Sequence, residues 1–235
     1  MISFSQRSNH EEIMDDLNCS GEVVEQTLKE LDIINKLLGG NPITIKTVVH
    51  LVKDRDRNTS LTIVDMGCGS GDMLRKIYQV LKGKGFTNLK LIGIDANPNI
   101  IEYAKQNTKQ ENPIQYVCED VTLKKSLNEP VDLIISTLFT HHFSQTELIS
   151  LLKHWKKEAR LAVVINDLHR NRIAYYSIKW LTAIFSKSSM VKNDGPLSVL
   201  RGFSKSELKN VLKKAELDTF ELAWKWAFRW KLIIY

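Results

Sequence analysis

Apolar positions along the chain follow two rhythms. Up to about residue 58 they recur at helical spacing. Val24, Leu28, Leu31, Ile34 and Leu38 share one helical face, and Gly39 and Gly40 end the run, so helices are expected across 11–38. Asn41-Pro42 opens a further helix over about 43–53, with a charged loop at 53–58. Beyond it, short apolar runs at 61–66, 89–96, 114–121, 131–139 and 159–168 read as strands. Between them, 72–82, 98–107 and 145–157 read as helices, with Pro98 at a favourable first-turn position. Unbroken apolar runs suit strands buried on both faces. The alternation implies a mostly parallel α/β sheet covered by helices on both sides, with ligands at the carboxyl ends of the strands.

After residue 168 the rhythm breaks. Residues 174–185 form an apolar helix-like stretch and 186–203 read as a polar loop. Ser204 and Glu207 have capping-box spacing and open a helix to about Ala215, and 218–235 reads as two strands with a turn near Trp226. The expected organisation is an N-terminal helical cap at 1–58 and an α/β domain at 59–235 with an insert at about 170–203. Tyr175, Tyr176, Trp180, Leu181, Ile184 and Phe185 give that insert an apolar face. Such a face suits a substrate lid and suits a core-facing helix equally.

Chemistry concentrates in Val64-Asp65-Met66-Gly67-Cys68-Gly69-Ser70-Gly71-Asp72, between a strand and a helix. Glycines let the backbone turn sharply and approach a ligand closely. Their spacing is i, i+2, i+4, not the i, i+2, i+5 of the dinucleotide fingerprint. Asp65 at the strand end is awkward for a pyrophosphate and suitable for a ligand carrying an ammonium group. Asp95 ends the second strand and Glu119-Asp120-Val121 follow the third. One acid at a strand end is an ordinary turn residue; three in succession beside a glycine loop form a pattern.

These residues resemble motif I of class I S-adenosylmethionine (SAM) dependent methyltransferases, (V/I/L)-D-x-G-x-G-x-G, matched here at every fixed position. The resemblance implies a seven-stranded Rossmann-like fold and SAM as cofactor. It places Asp65, Gly67, Cys68 and Gly69 at the cofactor, Asp95 and Ala96 at the ribose hydroxyls, Asp120 and Val121 at the adenine, and Thr137 beneath the sulfonium. In stretches 12–16, 31–40, 166–170 and 194–203 the chain is similar to bacterial small-molecule methyltransferases of the ubiquinone/menaquinone-biosynthesis and polyketide or aromatic-pigment type. That implies O-methylation of a hydrophobic phenol, quinol or polyketide, with C-methylation as the lesser alternative. The candidate acid–base residues are His142, His169 and His141; Arg170, Tyr175, Tyr176 and Arg201 are candidate substrate contacts, with Asp194 a further lid candidate. Many class I methyltransferases carry a similar His-His-Phe stretch, so loop packing is the competing reading of His141 and His142. No metal is expected, because residues 136–140 offer no acid to complete a catechol-type magnesium set beside Asn166 and Asp167.

Composition changes this little. The net charge of +6 suits an anionic partner, but the lysines are scattered, as on a solvated surface. The Asn/Asp-Pro-Pro motif of nucleic-acid amine methyltransferases is replaced by Ser136-Thr137-Leu138-Phe139, which disfavours nucleic acid. A nucleic-acid methyltransferase and a non-catalytic SAM-binding regulatory protein stand as alternatives. The three cysteines show no disulfide or zinc spacing. No apolar run reaches the roughly 18 residues of a membrane span, and no secretory pattern opens the sequence, so a cytoplasmic protein is expected. Transient contact with a membrane surface remains compatible with the apolar insert.

Overall fold

The computed structural model describes residues 2–123, 127 and 131–235. Strand β1 (Leu61–Met66) lies inside the sheet because both its faces are apolar and buried. It pairs in parallel with β2 (Leu89–Asp95) on one side and β4 (Val131–Thr137) on the other. β3 (Ile114–Cys118) and β5 (Ala159–Leu168) extend the parallel pairing outward. β6 (Phe220–Lys225) and β7 (Arg229–Ile234) form a hairpin, and β7 runs antiparallel beside β5. The order across the seven-stranded sheet is β3-β2-β1-β4-β5-β7-β6.

Apolar clusters cover both faces. Val48 of α2 (Gly40–Leu51) and Leu74, Ile77 and Leu81 of α3 (Asp72–Gly83) pack on one face. Leu152 and Trp155 of α5 (Gln145–Glu158) and Leu208 and Leu212 of α8 (Lys205–Lys214) pack on the other. Ser144 with Glu147 and Ser204 with Glu207 form reciprocal capping boxes that fix where α5 and α8 begin.

A helical roof crosses the carboxyl ends of the strands. α1 (Glu22–Leu37) packs on α4 (Pro98–Gln106), whose start is fixed by Asn97 accepting from Asn99 N. α6 (Arg172–Phe185) and α7 (Ser189–Arg201) form a hairpin, and α7 meets α1. Thr27 and Ser188 join α1 to α7 through hydroxyls 2.7 Å apart.

The structure departs from the sequence expectation in the roof. Residues 186–203 read as a polar loop, yet they contain α7, with Pro196 inside it. Pro196 has no N–H for the Lys192 carbonyl, but burial of Met190, Val191, Pro196 and Val199 outweighs the lost bond. Within 11–38 helix is continuous only from Glu22; before it stands a 3-10 turn at Ile13–Asp15. No helix of the described residues is long and apolar enough to cross a membrane.

Candidate active site

A cavity of about 1640 Å³ opens between the strand ends and the roof. Ligand pockets commonly hold about 300–1,000 Å³, so this one has room for two molecules. Asp65, Gly67, Cys68, Gly69, Asp95, Ala96, Asp120, Val121 and Thr137 all line it.

The glycine loop forms the floor. Gly67 stands at φ +72°, and a Cβ there would lie 2.1 Å from Phe139 Cγ. Gly69, at φ +50°, would place a Cβ in open space, so its bare backbone faces the cavity. Asp95 ties the loop to β2 by accepting from Gly69 N and Asn97 N, each at 3.1 Å. Burial nevertheless raises the Asp95 carboxyl. Burial, and then Asp95 itself, pushes Asp65 well above its ordinary value, and Asp65 Oδ1 has no hydrogen-bond partner. Burial and Asp72 raise Asp32 of α1 to about 6, although it accepts from Ser70 Oγ at 2.9 Å. Acids held this way favour a ligand that brings positive charge and hydroxyl donors. SAM fits on both counts: its ammonium group suits the acidic floor, and its ribose hydroxyls suit Asp95.

The opposite wall carries two histidines on a 3-10 turn at Thr140–His142. His141 is buried, with Nδ1 2.7 Å from Asp167 Oδ1 and Nε2 3.5 Å from Glu12 Oε1. Burial pulls its pKa down, but the two carboxylates, Asp167 first, outweigh burial and raise it from 6.5 to about 9. His141 is therefore a structural cation at neutral pH. Asp167 is driven below the ordinary carboxylate range: burial opposes this, and His141 and Thr140 win.

His142 has a different setting. Its Nδ1 lies 2.5 Å from Asp15 Oδ1, and the ring lines the cavity. Asp15 also binds Arg201. Burial would raise Asp15, but His142 and Arg201 hold it well below the usual range. Arg201 further donates to the His142 carbonyl at 2.8 Å and stands 3.7 Å from Glu12. Chain-distant segments therefore close this wall. Arg7 donates to the carbonyls of Arg201 and His141, each at 2.7 Å, and Asp194 accepts from Ile13 N and Met14 N. Glu12, His141 and His142 are a set of described side chains with donor atoms within 4.8 Å of one another, close enough to hold a metal ion. Arg201 already supplies the positive charge that an ion would bring there.

Four residues singled out from sequence do not reach the cavity. Arg170 is buried and consumed by the carbonyls of Phe4 and Gly202 and by Glu207, 2.7 Å away, so it cannot bind an anionic substrate. His169 accepts from Trp224 Nε1 at 3.3 Å and packs on Trp230. Tyr175 is buried edge-on against Phe4, and Tyr176 is exposed. Helical phase explains the last two: Ala174, Ser177, Ile178, Leu181 and Thr182 are the α6 residues that line the cavity.

Other lining residues were not singled out. Glu12 and Asp15 lay in a stretch noted only for its likeness to other proteins. Arg229 lay among the aromatics of the C-terminal strands. Its side chain lines the cavity at 2% exposure, with no hydrogen-bond partner for Nε or Nη1. The sequence did hold a signal for it. A hairpin antiparallel to β5 must bring its turn, and the residue after it, to the ligand end of the sheet.

Comparison with known proteins agrees with this geometry. Residues 63–160 match the model of a family described as a methyltransferase domain. The chain is 30% identical over 83 residues to a malonyl-[acyl-carrier protein] O-methyltransferase of Acetivibrio thermocellus, covering 35% of this chain and 27% of that protein. The same-named protein of Anoxybacillus flavithermus is 31% identical over 91 residues, covering 39% and 32%. The aligned stretch thus spans less than a third of either relative. Among solved structures, the plantazolicin methyltransferase BpumL, bound to a triazolic desmethylPZN analog and SAH, superposes with a TM-score of 0.65 at 19% identity over 85% of this chain and 74% of that one. Magnesium protoporphyrin IX methyltransferase from Synechocystis PCC 6803, with bound SAH, superposes with a TM-score of 0.56 at 15% identity over 94% and 90%.

Proposed function

We propose that this chain, a class I SAM-dependent methyltransferase, transfers the methyl group of SAM to an oxygen of a hydrophobic small molecule such as a phenol, quinol or polyketide. One observation carries the reading: a single cavity joins the glycine loop and its strand-end acids to the His142–Asp15 pair. SAM supplies a methyl group already activated on a sulfonium. The protein's share is to hold, orient and dry the reactants.

Asp95 accepts hydroxyl hydrogens of the ribose, Asp120 and Val121 flank the adenine, and the floor around Asp65 and Asp32 neutralises the ammonium. Leu31, Leu38, Phe139, Ile178, Leu181 and Phe228 give the remaining lining an apolar character that suits a hydrophobic acceptor and excludes water. As the oxygen–methyl bond forms and the sulfur–methyl bond breaks, the acceptor's proton passes to His142 Nε2. Asp15 holds the ring by Nδ1 and stabilises the imidazolium that results. Arg201 fixes Asp15 and so acts as a positioning residue. The O-methyltransferase names of the partial relatives agree with oxygen as the receiving atom.

Calorimetric titration with S-adenosylhomocysteine, with NADH as control, tests the cofactor. Binding of the former alone is expected, and a folded chain that binds neither contradicts the reading. Methyl-labelled SAM with a panel of hydrophobic phenols and quinols then tests the reaction. His142→Ala should lower turnover of any acceptor found by about 10²-fold or more while leaving S-adenosylhomocysteine affinity unchanged.

A further inference from the structure

We infer that the Arg229 guanidinium is a carboxylate-binding site within the cavity. Arg229 opens β7 opposite Leu168 in register. Because β7 opposes β5 in direction, this first residue lies at the carboxyl end of the parallel strands, where the ligands bind. Asp167 is the acid whose charge reaches the side chain, and its oxygens are already engaged by Thr140, His141 and the Leu168 N–H. Burial accordingly lowers the guanidinium to about 10, with Asp167 alone opposing.

The surroundings are built to admit this cation without neutralising it. A Cβ at Gly40 would lie 1.9 Å from Asn35 Oδ1, 2.8 Å from Arg229 Cζ and 2.9 Å from Nη2. The side chain therefore fills space that only a glycine leaves open, at the first turn of α2. A helix N-terminus disfavours a cation. A buried ion without a partner is costly, and the missing partner is an anion. The guanidinium presents its N–H donors in a fixed planar fork that matches a carboxylate, and Nη1, one prong of its Nη1–Nη2 end, has no partner.

Two carboxylates could fill the fork: the amino-acid end of SAM, or a carboxylate on the acceptor. The assignment rests on the methyltransferase reading only for these identities. Titration of wild type and Arg229→Met with S-adenosylhomocysteine and with 5′-methylthioadenosine, which lacks the amino-acid end, tests the first source. Titration of S-adenosylhomocysteine-saturated protein with 4-hydroxycinnamate and its methyl ester tests the second.

If the cofactor fills the fork, the variant weakens S-adenosylhomocysteine by tenfold or more, about 1.4 kcal/mol, and leaves methylthioadenosine unchanged. If the acceptor fills it, the variant leaves S-adenosylhomocysteine unchanged and abolishes a wild-type preference for the acid over the ester. Neither pattern, in Arg229→Met or in Arg229→Gln, overturns the assignment. Melting gives an independent reading. Removing an unpaired buried cation should leave the ligand-free melting temperature equal or higher, whereas a variant that melts far lower or fails to fold shows a guanidinium already paired within the fold and overturns the site. A wild-type chain that binds no S-adenosylhomocysteine sinks the methyltransferase reading instead, and the acid–ester comparison, run on the ligand-free protein, then decides Arg229 alone.

Discussion

Asp95 and His141 carry opposite tensions. Asp95 accepts two backbone N–H groups, yet burial still raises it, so it gains from ligand hydroxyls. Asp95→Ala should weaken S-adenosylhomocysteine binding about tenfold or more by calorimetry, and unchanged affinity would remove it from the cofactor site. His141 is raised from 6.5 to about 9 by its carboxylates. Its contribution to stability is complete below about 6.5 and is lost as pH rises through about 9, worth on the order of 3 kcal/mol. Asp167 is depressed, so its contribution is present above the ordinary carboxylate value and lost as pH falls. Wild-type melting temperature should therefore decline between pH about 7 and 9.5, with a much flatter slope in His141→Gln. Equal slopes would mean that His141 is neutral in the fold.

At the scale of elements, α6 has two working faces. Ser177, Ile178 and Leu181 line the cavity, while Ile173, Tyr176, Trp180, Ile184 and Phe185 point outward, Trp180 at 67% exposure and Phe185 at 77%. Residues 168–193 contain no acid, and Arg172, Lys179, Lys187 and Lys192 among them are exposed. An apolar aromatic stripe with basic flanks suits an anionic lipid surface. The chain should sediment with phosphatidylserine vesicles and not with pure phosphatidylcholine, and Trp180→Ser with Ile184→Ser should abolish this. A self-associated chain that ignores both vesicles would assign the stripe to a second copy. The apolar nature of α6 was legible in sequence, but which residues faced inward was not, because an all-round apolar helix fixes no phase. α7 was hidden for a different reason: Gly195 and Pro196 signal a break, and only the packing of neighbours overrides it.

For the molecule as a whole, legibility followed distance along the chain. The glycine loop and the acids at the ends of β1 and β2 were readable because each motif is local and its element announces itself. The opposite wall was not. Arg170 and Arg229 look alike in sequence, and only the fold shows that one is saturated by carbonyls and the other is bare. Glu12 and Asp15 gain their roles from residues about 130 to 190 positions away.

That separation sets an order of events during synthesis. Glu12 leaves the ribosome 186 residues ahead of Ser198, to which it bonds, and Asp15 equally far ahead of Arg201. At about 5–20 residues per second, the first segment waits roughly ten to forty seconds for its partners. All residues of the glycine loop and the acids at the ends of β1 to β3 have been synthesised once β4 has emerged, long before those of α6 and α7. A nascent chain therefore passes through a stage that holds every residue of the glycine loop and its strand-end acids but lacks the Ser198 and Arg201 that tie down Glu12 and Asp15.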